Sequence, residues 1–358
     1  MKYAAIRMAV QRTPWAILPS KFAEIYHFLL AKAEDQQPDE QRIRRALAER
    51  DARERERYAA FGVQARNGNS LPFPVVRGAA VIPILGTIIP RASLLAEMSG
   101  AISTERLRRN LRLADEDREI EEILLDIASP GGAVPGVQET YQDVKRIARR
   151  KKVTAYANHY AASAAYYIAS AASELKVAPS GDVGSVGVFA AHEDWSKHLE
   201  MAGVGVEIIR SDNSPYKYEG NMFEPLPDEA RAEIKRVVNV YEQQFHSDVS
   251  KGRKVPIATV REDFGMGRMR LAKEAVEAGM ADAIATLEED VLARAATRRS
   301  TVAVSRRTQH KETPMSSITE QIKEKAAAVA NWLKSPTDDD EARGQVLASM
   351  KDVEAFLA

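Results

Sequence analysis

Between about residue 76 and residue 290, short apolar runs alternate with amphipathic segments, and this alternation limits the fold more than any other feature of the chain. Ala79-Ala-Val-Ile-Pro-Ile-Leu, Glu122-Ile-Leu-Leu-Asp-Ile-Ala, Val153-Thr-Ala-Tyr-Ala and Glu174-Leu-Lys-Val-Ala read as strands, with Val186-Gly-Val-Phe and Val206-Glu-Ile-Ile-Arg as further candidates. Between them, residues 103–115, 137–150, 161–172 and 193–201 have helical composition and spacing. A longer amphipathic helix is expected over 228–249, with Ile234, Val237, Val238, Val240 and Tyr241 on its apolar face. Strands that alternate with helices imply an α/β domain.

The flanks differ in character. Residues 1–75 open with Trp15-Ala-Ile-Leu, continue through Phe22, Ile25, Phe28 and Leu29 at helical spacing, and reach a run from Glu40 to Arg57 with seven arginines and five acids. Mixed signs favour a solvated helix with i,i+4 pairs over a nucleic-acid patch. Asn67-Gly-Asn-Ser, followed by Pro72 and Pro74, marks a linker, so 1–75 is read as a helical extension and 76–295 as the main domain. Residues 296–316 are basic and carry Ser and Thr with little to bury, which suggests a flexible linker. In the tail, 317–358, Ile318–Leu333 and Glu341–Leu357 can each form an amphipathic helix. A length of 358 residues suits this division, at about 150 residues per domain.

Composition narrows the partners. Lys plus Arg and Asp plus Glu both number 51, so no global field draws the chain to nucleic acid or anionic lipid. Without cysteine, disulfides, thiolate metal sites and cysteine nucleophiles are excluded. The start lacks the apolar block of a secretory signal. The longest apolar stretch, Ala79–Pro90, is interrupted by Pro83 and Gly86 and falls short of the ~20 residues of a spanning helix. The expectation is a soluble chain that is not secreted and has no membrane anchor.

Three small-residue clusters can carry chemistry. Ser129-Pro-Gly-Gly follows a strand, where glycines permit a sharp turn and bring amides close to a ligand, although an ordinary strand-to-helix turn has the same composition. Ala161-Ala-Ser-Ala-Ala-Tyr-Tyr places Ser163 at the start of a helix, where free amides can face a developing negative charge, although serine among alanines also serves tight packing. Gly184-Ser-Val-Gly-Val is the third cluster. A serine nucleophile needs a base. None of His27, His159, His192, His198, His246 and His310 has a spacing that argues for a triad. Lys217, in the loop Ser211-Asp-Asn-Ser-Pro-Tyr-Lys-Tyr-Glu-Gly-Asn, is the other choice. To serve, a lysine must fall from its ordinary pKa of about 10.4 to about 7 or 8, roughly 4 kcal/mol of bias that burial can supply. A hydroxyl such as that of Ser185 could orient its neutral nitrogen.

In this order, the clusters and the lysine loop resemble the signal peptide peptidase A family of serine peptidases, in the Clp protease and crotonase superfamily. The similarity covers about residues 76–290 and includes the closing region Gly252-Arg-Lys-Val through Ala272-Lys-Glu-Ala-Val-Glu-Ala-Gly-Met-Ala-Asp-Ala-Ile. The resemblance implies a spiral of β-β-α units, Ser163 as nucleophile, Lys217 as general base and Ser185 as the hydroxyl that orients the lysine. It also implies an oxyanion hole from the backbone amides of Ala164 and of Gly131 or Gly132, with no cofactor and no metal. The chain departs from the family in carrying Ala164 and Ala165 where glycines are usual, and Tyr218 where an acid follows the lysine. Its extensions resemble the phage prohead or capsid-assembly proteases similar to the lambda C protein. For that branch the expected setting is a procapsid in the host cytoplasm, with scaffold or portal-associated protein and the chain's own C-terminal tail as substrates and a homo-oligomer as the working form. The alternatives are an acyl-CoA hydratase or isomerase on the crotonase fold, and a catalytically dead capsid scaffold protein.

Overall fold

The computed structural model describes residues 13–31, 71–91 and 100–291, together with the single residues 45, 52 and 56. The chain divides into two units, Met1–Ala293 and Arg294–Ala358, and the described residues all belong to the first. The expectations for the charged run at 40–57, apart from those single residues, and for the linker and tail at 296–358 lie outside the described residues.

The centre is a parallel arrangement of β3 (Ala79–Leu85), β6 (Glu122–Ser129) and β8 (Lys152–Ala162), in that lateral order. Alternation along each strand sorts the side chains. Ile82, Ile84, Ile123, Leu125, Ile127, Val153, Ala155 and Ala157 enter the main core, while Val81, Leu124 and Tyr156 face a smaller cluster with Leu287 and Val291. The short β2 (Val75–Val76) pairs only with Ala79 and Ala80, so Pro83, which has no N–H, lies where β2 does not reach. Past residue 157, β8 outruns β9 (Glu174–Val177) and pairs instead with β10 (Asp182–Gly184). β10 in turn meets β11 (Met269–Leu271), and β12 (Ala283–Ile284) pairs with β9.

Two helices cover the main face. α2 (Thr104–Glu116) starts at Ser103, whose hydroxyl accepts from the Arg106 amide at 3.1 Å, and buries Leu107, Leu111 and Ala114. α3 (Val137–Ile147) buries Val137, Tyr141, Val144 and Ile147. α1 (Pro19–Ala31) fits the helical spacing read at Phe22 and Ile25. The long helix Asp228–Arg253 is also present, but Val240 and Tyr241, placed on its apolar face by spacing, are exposed. Two expected strands are absent. Val186–Phe189 makes only a single bridge through Phe189, and 206–210 has no partner strand and leaves Val206 and Ile209 exposed.

A second small sheet, ordered β1-β7-β4-β5, joins the chain start to the Gly-Gly turn. β1 is Trp15–Ile17, β4 is Ile88–Ile89, β5 is Ile102–Ser103 and β7 is Gly131–Ala133. Residues 1–75 are therefore not wholly an outer extension: β1 is built into the domain.

Helix α4 (Ala164–Ala169) is buried along its whole length and ties the sheet to the rest of the unit. The Tyr166 hydroxyl donates to the Met280 carbonyl at 3.1 Å, and that of Tyr167 donates to the buried Asp248 carboxylate at 2.7 Å. Tyr167 also stacks on Phe245, with ring centroids 4.4 Å apart. Burial, and then the Asp248 carboxylate, push the Tyr167 pKa up, so the hydroxyl stays a donor at all ordinary pH. Tyr167→Phe should lower stability by about 1–3 kcal/mol, because Asp248 stays buried with one donor fewer; urea unfolding measures this.

Near the closing strand, Arg253 forks onto Asp282 at 2.7 and 2.9 Å, while the Leu175 amide donates to the same carboxylate. Burial raises the Asp282 pKa, but the Arg253 and Leu175 bonds outweigh it and hold the carboxyl below its usual value. A depressed folded pKa gives stability that is complete above the unfolded value and lost as pH falls through the folded one. Asp282→Asn should therefore cost about 1–2 kcal/mol at pH 7, less than a fully buried pair because the Asp282 side chain is 42% exposed. That difference should shrink as pH falls below about 4, as urea titrations at neutral and acid pH would record.

Candidate active site

Strand β8 ends at Ala162, Ser163 turns, and α4 begins at Ala164. Ser163 has φ 54° and ψ −116°, a conformation L-residues rarely adopt, with a strain of about 1–3 kcal/mol. A sharp strand-to-helix turn of this kind lifts a serine hydroxyl away from both elements and leaves the first helical amides without intrahelical acceptors. Its neighbours hold the turn: the Ser163 amide donates to the Gly184 carbonyl at 2.7 Å, and the Tyr167 amide donates to the Ser163 carbonyl at 2.8 Å. The hydroxyl faces the Gly187 carbonyl at 3.4 Å, and the residue is 1% exposed.

The Gly-Gly turn lies against this serine. A Cβ on Gly131 would meet the Ala16 carbonyl oxygen at 2.3 Å, the Ala162 carbonyl oxygen at 2.8 Å and the Ala164 nitrogen at 3.0 Å. Only glycine fits among three backbone atoms, and its φ of +90° adds to that demand. Gly132 is packed as tightly, with a Cβ falling 1.8 Å from the Ile88 carbonyl oxygen. Ser129 braces the turn: its hydroxyl donates to the Gly86 carbonyl at 2.7 Å and accepts from the Gly131 amide at 3.2 Å. The structure thus brings Ser163, Ala164 and the Gly131–Gly132 turn into one place. Ser129, read from sequence only as part of a turn, proves to be the clamp on its backbone.

Ser185 is also buried and has φ 51°, and its amide donates to the Arg268 carbonyl at 2.9 Å. It lies one residue beyond Gly184, which accepts from Ser163. Lys217 stands apart. Its residue is exposed, its amide donates to the Ser214 carbonyl, and its carbonyl accepts from Arg210 Nε at 2.9 Å. Among the described hydrogen bonds none joins its amine to Ser163 or Ser185, so the dry lysine pocket expected from sequence is not formed in this single chain. The reason is local. Arg210 also pairs with Glu224 at 2.8 Å, and the buried Asn221 side chain donates to Glu224 and to the Tyr218 carbonyl, which holds the loop backbone on the outside.

A cavity of about 240 Å³ lies beside the loop, lined among others by Pro14, His192, Tyr218, Met222 and Ile234. The His192 Nε2 is buried there without a hydrogen-bond partner. Among the described residues no cluster of three or more His, Asp or Glu side chains could hold a metal ion, and no helix is long and apolar enough to cross a membrane. Sequence reading also missed β1. Its signal was a four-residue apolar run, Trp15-Ala-Ile-Leu, confined between Pro14 and Pro19.

Residues 145–302 match the family model of Peptidase family S49, a span that takes in Ser163, Ser185 and Lys217. Over 210 residues the chain is 32% identical to capsid assembly protease C of Escherichia phage lambda, covering 59% of this chain and 47% of that protein. It is 31% identical over 232 residues to head-tail preconnector protein GP5 of Enterobacteria phage P21, covering 64% of this chain and 45% of that protein. The chain therefore spans about half the length of these phage relatives. Against slr0021 of Synechocystis sp. the identity is 32% over 204 residues, 56% of this chain and 72% of the other. With one relative matched over most of its length, and the family match laid across the strained serine and the lysine loop, this chain belongs to peptidase family S49.

Proposed function

We propose that the chain is a serine endopeptidase in which Ser163 is acylated by a peptide carbonyl and Lys217 accepts its proton. The observation that carries this reading is the buried, left-handed turn of Ser163 beside the Ala164 amide and the Gly131 backbone. Lys217 would return the proton to the leaving amine before water completes hydrolysis, with Ser185 orienting the neutral nitrogen. The amides of Ala164 and of Gly131 or Gly132 would face the oxyanion. Alanine keeps its N–H, so the departure at 164 leaves that donor in place.

The lysine must come inward for this chemistry. Residues 203–220 form no helix or strand, and Gly203, Gly205 and Gly220 punctuate them, so the loop has the freedom to rearrange once Arg210 releases the Lys217 carbonyl. Val204, Val206, Ile209 and Tyr216 are exposed on the same stretch. Packing of a second copy against these side chains would supply the burial that the single chain does not, which supports a homo-oligomer as the working form.

The phage relatives support a capsid setting: a protease of the procapsid that cleaves scaffold or portal-associated protein and its own tail, on a Clp/crotonase-like spiral. The crotonase-type hydratase or isomerase is disfavoured by the S49 match, and it would survive Ser163→Ala. A dead scaffold protein would leave a serine probe unreacted.

The purified chain should lose its C-terminal segment with time, and Ser163→Ala and Lys217→Met should slow that loss by about a thousandfold or more, read by intact mass. Tail loss at one rate in all three proteins would mean a contaminating protease and would remove the assignment. Because the base must be neutral, peptidase activity should climb between about pH 6 and pH 9, and a flat profile over that range would take lysine out of the base role.

A further inference from the structure

The chain's own residues 14–18 run along the glycine turn that borders Ser163. β1 is hydrogen-bonded along both edges. On one side it runs antiparallel to β7, with Ala16 opposite Gly132. The Leu18 amide donates to the Pro130 carbonyl at 2.8 Å and the Val134 amide to the Pro14 carbonyl at 3.1 Å, so ladder alternation makes Ala16 and Gly132 a bonded pair and Trp15 and Ala133 a non-bonded one. On the other side Trp15 exchanges both backbone bonds with Phe189, at 2.8 and 2.9 Å. Phe189 is two residues beyond Gly187, whose carbonyl faces the Ser163 hydroxyl.

The two edges of this slot are thus the glycine turn and the segment that faces the nucleophile. The Ala16 carbonyl oxygen and the Ala164 nitrogen lie 2.3 and 3.0 Å from one point, the position of a Cβ on Gly131. Strand β1 therefore lies against the backbone whose Ala164 and Gly131–Gly132 amides would polarise a substrate carbonyl. Trp15, Ala16 and Ile17 are all buried, and Trp15 packs edge-on against Phe22, which in turn meets Phe189. The slot is filled and anchored.

We propose that the N-terminal strand is an internal occupant of the peptide slot, a strap that keeps the peptidase latent until it withdraws. This rests on the serine-peptidase reading and adds its regulation. The strap leaves through loss of main-chain bonds and one aromatic anchor, so a competing extended segment or disruption of the anchor frees the slot. Activity then scales with the fraction of molecules in which the strand is out.

The absence of cysteine allows a direct test. Trp15 and Ala133 are a non-hydrogen-bonded antiparallel pair, whose Cα separation of about 4.5 Å suits a disulfide. In a full-length Trp15→Cys/Ala133→Cys chain, the oxidised form should react with a fluorophosphonate serine probe about tenfold or more slowly than the reduced form of the same preparation. A synthetic peptide of residues 13–18 should slow the reduced form. Ala16→Pro, which removes the amide that pairs with Gly132, should react faster than the unaltered chain. Equal rates in the oxidised and reduced forms would overturn the strap while leaving Ser163 as nucleophile. Failure of the pair to oxidise would overturn the register on which it rests. No labelling in any form would overturn the peptidase reading, and the strap with it.

Discussion

The site depends on one close approach: the backbone at Gly131 passes between the Ala162 carbonyl and the Ala164 amide with no room for a side chain. The end of β6, through the turn at 129–131, is thereby fixed against the end of β8. The parallel pairing of β6 with β8 delivers both strand ends to the same edge, and a register shift between Ile127 and Ser129 adjusts the last step. Ser163 can then be held in a left-handed turn because its amide, its carbonyl and the helix that follows are all fixed by neighbours. The strain at the serine is tolerated because a well-packed core and the buried Tyr167–Asp248 bond keep α4 from relaxing.

The same architecture separates two parts of the chemistry. Ser163, the proposed nucleophile, and its candidate amide donors sit on strand ends and a buried helix, whereas Lys217 sits on an exposed loop. The proposed chemistry requires this amine to be covered, and the loop leaves the residue exposed. On the proposed reading, catalytic competence is assembled: the slot must empty and the lysine must be covered. In the proposed capsid setting, a peptidase packed among proteins that it must not cut too early would gain from such a requirement, since neither event follows from folding of the single chain alone.

The strands at 79–85 and 122–129 were legible as largely apolar runs buried on both faces, 152–162 by its apolar first half and 174–177 by the alternation that buries Leu175 and Val177, and the helices at 104–116 and 137–147 because their buried positions recur at helical spacing. The segments at 186–189 and 206–210 have similar β-propensity, yet the first pairs only through the Phe189 bridge to Trp15 and the second has no partner strand among the described residues, which residue types do not reveal. β1 was hidden for the opposite reason: a four-residue run between prolines becomes a strand only by pairing with residues far along the chain. At the site, the glycines and the serine could be read by type and order, while the strain at Ser163, the clamp by Ser129 and the exposure of Lys217 come from tertiary geometry. The buried Asp248 beneath α4 was equally invisible, because a charged residue on an amphipathic helix reads as solvated until its partners are known.

Mapping the residue modified by a fluorophosphonate probe, by digestion and mass spectrometry of the full-length chain, tests the role of Ser163 most directly. The predicted result is a single covalent adduct on the peptide that contains Ser163, lost in Ser163→Ala. An adduct on another serine, or persistence of the adduct in that variant, would contradict it.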